Sequence, residues 1–517
     1  MVAVSSKSSY SLEQNIQELA SYLELKPDTS LPQLAYTTTA RRSHYQYRFS
    51  CAVSSVSEAI RALRSAQAKL IKPVSTESTR VAFVFTGQGS HYTSLGKQLF
   101  EYSRQFRDDI IKFDSMSQKQ GFPTFLPLID GTEDIESLSP IALQLGQSCL
   151  QMALVRLWKS WGITPSTVLG HSLGEYAALY AAGVLSASDT IYLVGRRAQL
   201  LEKLCTPGSH KMLAIASSVS HAKEIFGENI EIACINGPQE TVVSGSAEEI
   251  DFYSKTSKAA DIKCSVLSTA YAFHSSQVEV ILEQFKYAAS SINFGTPDIP
   301  VISTLLGDVV TGDDVFGPEY LARQARETVN FVGAIQAAAS KGTIDHDTVW
   351  IEVGPAPVCS TFIKSCLGSK TMNVPSLRKQ EDTWKTLSSG LSSLYSKGLI
   401  IDWEEFHREY EASHKVLALP SYRFENKNYW LNYNNNWCLT KGQIVESHAR
   451  KPRGRHLSTS SVQKLTKEDF GTKIAVVAES DLSDPDLNHA VTGHMVNGSA
   501  LCPAVRFYIH YFEIEAN

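Results

Sequence analysis

The sequence predicts an α/β protein: a doubly wound, hydrolase-like parallel sheet with an inserted ferredoxin-like subdomain, preceded by a small α+β domain. Three observations carry that reading. VAFVFTGQGS (81–90) is a buried-strand run feeding a tight glycine turn, and TVLGHSLGEYAALYAAG (167–183) repeats the logic as strand, turn and alanine-rich helix. Between residues 210 and 270 the order becomes β-α-β-β-α-β, the pattern of a ferredoxin-like unit. Before residue 80, two helix-periodic runs flank a strand-like one.

Taken in order, 11–25 and 56–71 place apolar residues at helical spacing, and LPQLAYTTTARRSHYQYRFSCAV between them ends in an alternating run. These form a linker domain over 1–79. The main α/β domain spans 80–374. Its insert, about 210–270, reads as MLAIA (strand), SHAKEIF (helix), IEIACING and ETVVSGS (two strands about a Gly-Pro turn), AEEIDFYSKTSKA (helix) and IKCSVLST (strand). The chain then returns to helix and strand alternation through VWIEVGPAP. An aromatic-rich segment, 375–440, is expected to wrap a neighbour's surface. Residues 441–466 are basic and serine-rich without periodicity, as a flexible linker is.

At 517 residues the chain exceeds a single core and is expected to hold roughly two to four units. A net charge of −5 and 20% charged residues give no basic surface for nucleic acid or an anionic membrane. Nine scattered cysteines, an odd number, fit reduced thiols and a cytoplasmic location better than a disulfide framework or a zinc site. Neither a run of about twenty apolar residues nor a secretory leader is read.

The chemistry centres on Ser172 in G-H-S-L-G, 170–174. A serine on a sharp strand-to-helix turn is exposed and faces the N–H groups opening the helix, which suits a nucleophile. Such turns serve both ester hydrolysis and acyl transfer. The N–H of Leu173 can stabilise a tetrahedral oxyanion, and a second donor can come from the Gly87-Gln88-Gly89 turn. His274 in STAYAFHSS follows the last strand of the insert and is the best placed base. Arg197 has Leu193, Val194, Leu200, Leu201 and Leu204 on its own helix face, so it points inward. An inward arginine requires an anion, either an internal carboxylate or the carboxylate of a substrate.

FVFTGQGSHY, GHSLGEYAAL, LVGRRAQLL, ACINGP, YAFHSS and IEVGPAP, in this order, resemble malonyl-CoA:acyl-carrier-protein transacylases. More narrowly, they resemble the acyltransferase domain of fungal non-reducing iterative polyketide synthases. The resemblance covers about 80–370. It implies Ser172 as nucleophile, His274 as base, Gln88 and Leu173 at the oxyanion hole, Arg197 as the malonate clamp and Asn236 near the site. Phe273, before the histidine, implies malonyl rather than methylmalonyl, because its ring would crowd an α-methyl group. No bound cofactor is implied; malonyl-CoA is the substrate, and the phosphopantetheine of an acyl carrier protein receives the acyl group. The segment ahead of the domain resembles the linker from a ketosynthase, which implies that domain as a partner, and 375–440 resembles the linker that follows. The competing readings are a serine hydrolase or thioesterase, which would want an acidic partner for the histidine, and an inactive synthase fragment.

Near the C-terminus, H494-M-V-N-G-S-A-L-C-P503 resembles the opening of a product-template domain, a dehydratase-like hotdog fold, over 467–517. His494 would be its base. The remainder of that domain is not recognisable, so the chain looks like a synthase fragment.

Overall fold

The computed structural model describes residues 1–75, 79–426, 455–456, 464–470, 474–493, 495–496 and 499–500. The chain forms two compact units, Met1–Asn426 and Lys427–Asn517. The division falls inside the segment 375–440 that the sequence suggests as one linker.

The centre of the first unit is a six-stranded sheet. Its strands lie in the order Asp308–Val310, Val301–Ser303, Thr167–Gly170, Val81–Phe85, Val349–Val353 and Met372–Pro375. All neighbours are parallel except the outermost Asp308–Val310. Val81–Phe85 is buried at every position because helices cover both faces, as an unbroken apolar run predicts. The long helix Pro140–Ser160 packs on one face with Leu145, Cys149, Met152 and Leu157 in the main core. On the other face Phe331, Ile335 and Ile363 meet Ala82, Val84 and Trp350.

The insert is the ferredoxin-like unit expected. Strands Glu231–Gly237, Glu240–Ser246, His210–Ile215 and Cys264–Val266 lie side by side, antiparallel throughout. The helices Val219–Phe226 and Ala247–Ala259 connect them, the second opened by a capping box between Ser246 and Glu249. A fifth strand, Val329–Asn330, comes from later in the chain and pairs in parallel with Cys234 and Ile235.

The N-terminal α+β part has its own core of Val2, Leu12, Ile16, Leu19, Leu23 and Leu34. Two of its elements go beyond the expectation: a first strand, Val2–Ser6, paired antiparallel with Tyr47–Cys51, and a helix over Leu31–Ala40. The segment after the helix Thr383–Lys397 returns to this core. Leu417 and Leu419 pack against it, the Lys7 N–H donates to the Tyr422 hydroxyl (3.0 Å), and Arg423 pairs with Glu18 (2.7 Å).

In the second unit most of the linker read over 441–466 lies outside the described residues, and the described ones, 455–456 and 464–466, are in strands. Arg455–His456 is a strand paired antiparallel with Lys464 and Leu465 of the strand Lys464–Phe470, which in turn pairs with Ile474–Glu479. Basic, serine-rich composition lacks an apolar period, yet a ladder is built from backbone groups that every such residue carries. A helix, Pro485–Thr492, follows. His494 lies outside the described residues.

Candidate active site

Ser172 sits between the strand Thr167–Gly170 and the helix Gly174–Ala181 with φ of 52°, a left-handed conformation unusual for a residue with a side chain. The flanking glycines are steric requirements. A Cβ on Gly170 would overlap the Glu175 backbone, and one on Gly174 would overlap the Phe85 carbonyl. The turn is also braced from below: the Gln324 side chain donates to the Ser172 carbonyl (2.9 Å), and the buried Glu175 carboxyl accepts from Tyr320. Burial lifts the Glu175 pKa to about 7.

His274 lies with Nε2 2.7 Å from the Ser172 hydroxyl and Nδ1 3.0 Å from the Glu327 carbonyl oxygen. A carbonyl can only accept, so Nδ1 carries the proton and Nε2 accepts from Ser172. Burial, then the charge of Arg197, lowers the His274 pKa to about 3. The ring is therefore neutral near pH 7, the form that can take a proton from the serine. Among the described residues no carboxylate reaches Nδ1, where a hydrolase of this type would have its acid. The Glu327 carbonyl orients the His274 ring, a contact no sequence pattern marks.

Arg197, on the helix Ala187–Leu204, is 2% exposed. Its Nη1 donates to Gln144 Oε1 (3.0 Å), and its guanidinium lies 5.0 Å from the centre of the Phe273 ring. Among the described residues it has no carboxylate partner, so the internal salt bridge weighed above is not what holds it. Arg197 Nε, Gln144 Nε2 and the Tyr176 hydroxyl are buried without a protein partner, a polar cluster able to receive an anion.

Gln144 and Tyr176 escaped the sequence reading. The helix Pro140–Ser160 carries Gln144, Gln147 and Gln151 at spacings of three and four, a polar stripe on a buried helix that could have flagged them. Gln147 donates to the carbonyls of Thr86 and Gly87 (3.0 and 2.7 Å), and Gln151 to those of Thr86 and Val353 (2.8 and 3.1 Å). Together they fix the Thr86–Ser90 turn. From the other side the buried Glu352 carboxylate accepts from the Thr86 hydroxyl and from the N–H groups of Cys359 and Ser360.

Gln88 stands in the turn that approaches the His171–Ser172 corner, and Leu173 directly follows Ser172 in that corner. A Cβ on Gly87 would come within 2.7 Å of the His171 ring, which shows how closely the turns approach. Asn236 Oδ1 accepts from His171 Nε2 (2.8 Å), so Asn236 steadies the residue before Ser172. A cavity of about 560 Å³ between the insert and the main sheet is lined by Gln88, His171, Ser172, Asn236, Phe273 and His274, among others. Thus Ser172, His274, Arg197, Phe273, Gln88, Leu173 and Asn236 converge on one place.

A buried serine–histidine pair on a nucleophile turn, beside an arginine without an acidic partner, agrees with what the chain resembles. The acyl transferase domain model matches residues 82–395, and the model for CurL-like polyketide synthase C-terminal regions matches 1–63. The chain belongs to the acyl transferase domain family. Its relatives include the non-reducing polyketide synthase terA of Aspergillus terreus, 72% identical over 98% of this chain, and the conidial pigment polyketide synthase PfmaE of Pestalotiopsis fici, 49% identical over 98%. This acyl transferase chain spans about a quarter of their length, 24% in each case. Among solved structures it is similar to the acyl transferase domain of ZmaA (26% identity, TM-score 0.69, covering 81% of this chain and 98% of that one). It is equally similar to the acyltransferase domain from module 8 of the salinomycin polyketide synthase (26%, TM-score 0.68, covering 78% and 97%). The family and fold are those the six motifs predicted. Among the described residues no helix is long and apolar enough to cross a membrane.

Proposed function

We propose that this acyl transferase domain moves malonyl from malonyl-CoA to the phosphopantetheine thiol of an acyl carrier protein, as part of a polyketide synthase that also holds a ketosynthase. The observation that carries the reading is Arg197: a buried guanidinium beside the serine–histidine pair, with no acidic partner among the described residues. Such a group favours an acyl chain that ends in a carboxylate. The Phe273 ring lies 5.0 Å from that guanidinium, and we read it, as the family resemblance implies, as the side chain that would crowd an α-methyl substituent. A solved relative, the acyl transferase domain of SpnD, is described in complex with 2-(pent-4-yn-1-yl)malonyl, which fits a dicarboxylic acyl group.

The chemistry runs in two halves. His274 Nε2 takes the Ser172 proton as the oxygen attacks the thioester carbonyl, and the N–H groups of Leu173 and Gln88 receive the oxyanion. The C–S bond breaks, and coenzyme A leaves with the proton from His274. The carrier thiol then gives its proton to His274 and attacks the malonyl-serine ester, and Ser172 recovers the proton on release. Arg197 also governs the base, because its charge helps to hold the His274 pKa down. A bound carboxylate cancels that charge and strengthens the base only when the correct acyl group is present.

Incubation with malonyl-CoA should add one malonyl mass to the intact protein, and Ser172→Ala should abolish it; a label on any other residue refutes the assignment. Arg197→Ala should cost about 2–5 kcal/mol in kcat/KM for malonyl-CoA and leave acetyl-CoA nearly unaffected. Equal losses for the two substrates would make Arg197 structural. Release of free malonate in preference to transfer onto a carrier thiol would identify a hydrolase.

A further inference from the structure

The base is held from two directions, and both lead to one carboxylate. Glu231, at the start of the insert strand Glu231–Gly237, accepts from the Ser276 N–H with both oxygens (3.0 and 3.1 Å) and from the Ser276 hydroxyl (3.1 Å). Ser276 lies two residues after His274, whose φ of 57° must be kept by its surroundings. The same carboxylate pairs with Arg326 (2.9 Å), the last residue of the helix Pro318–Arg326. Arg326 precedes Glu327, whose carbonyl accepts from His274 Nδ1. Its Nε also reaches Glu279 (2.8 Å), in the helical turn Ser276–Ile281 that follows the base. Two residues on, the Thr328 hydroxyl donates to the Ile232 carbonyl (2.6 Å), and Val329–Asn330 joins the insert sheet.

We infer that Glu231 and Arg326 form a latch between the insert and the main domain that sets the position of His274 relative to Ser172. They are positioning residues. The inference rests on the reading of His274 as the base of Ser172. The argument is geometric. The loop carrying the imidazole and the carbonyl orienting it belong to segments far apart in sequence, and Glu231 accepts from Ser276 in the first and from Arg326 in the second. The partly buried ion pair has modest worth as a stabiliser, as such pairs do. Its leverage comes from what it aligns, since a displacement of about 1 Å in a reacting group can cost on the order of a hundredfold in rate.

The test uses the full chain and the rate of malonyl-enzyme formation from malonyl-CoA. Arg326→Gln and Glu231→Gln should each lower kcat about tenfold to a hundredfold with KM changed less than about threefold. The double variant should be no slower than the slower single, because both act through one latch. Arg326→Lys, which keeps the charge and folds if the glutamine variant does not, should retain most of the rate. Wild-type kcat in both single variants overturns the inference, as do multiplicative losses in the double variant or a rise in KM that accounts for the whole effect. Ser172→Ala, run alongside, separates the two claims: label persisting there refutes the function, while label that needs Ser172 but ignores Arg326 refutes only the latch.

Discussion

Ser172 and His274 lie 2.7 Å apart and share a left-handed backbone, with φ of 52° and 57°, yet the chain secures them by opposite means. Ser172 is held locally, by glycines two residues away on either side that let strand and helix meet at a sharp corner. His274 is held at long range, by Glu231 before it in the chain and by Glu327 after it. A local device is visible as a motif. A long-range one leaves only isolated polar residues with ordinary spacing.

The largest effect expected from this contrast is at Gly174. A Cβ there meets the Phe85 backbone, which has no rotamer to yield, so Gly174→Ala should destabilise by about 3 kcal/mol or more in urea or thermal unfolding. Unchanged stability would show that the corner is not set by its glycines. Next comes Gln324→Leu, which removes a long-range side-chain donor to the Ser172 carbonyl and should cost about 1–3 kcal/mol. A loss greater than that of Gly174→Ala would place the nucleophile under long-range control too.

The smallest effect is a flat line. With its pKa at about 3, His274 stays neutral from pH 8 to pH 5, so kcat/KM for malonyl-CoA should show no acid limb near 6.5 from this group. In Arg197→Ala the limb should move upward, because one cause of the depression is gone. The sign for stability follows: the unfolded chain binds this proton first, so the stability of the fold falls as pH drops from about 6.5 toward 3. A limb near 6.5 in the parent protein would mean that the base is solvated and the enclosure incomplete.

The contrast also explains what could be read in advance. Ser172, the glycine turns and the alternation of strand and helix were legible because each is a short-range pattern, and Arg197 because five apolar neighbours share its helix face. Gln144 was not, since its meaning depends on a guanidinium 53 residues away. Nor was the helix Leu31–Ala40, where Thr37, Thr38 and Thr39 resemble strand formers. Their hydroxyls instead donate to the carbonyls of Gln33, Leu34 and Ala35 one turn back, so the polar groups are satisfied inside a helix. The strand Val2–Ser6 finds its partner at Tyr47–Cys51, beyond the reach of any local period.

The return of residues 417–423 to the N-terminal core has a mechanical consequence. Tension applied at the two ends of Met1–Asn426 would meet the Val2–Ser6 ladder and the Lys7–Tyr422 and Glu18–Arg423 contacts, where entering and leaving stretches of chain are tied side by side. The six-stranded sheet and the cavity beside Ser172 lie in the stretch of chain between those tied ends, on the arm of a closed loop.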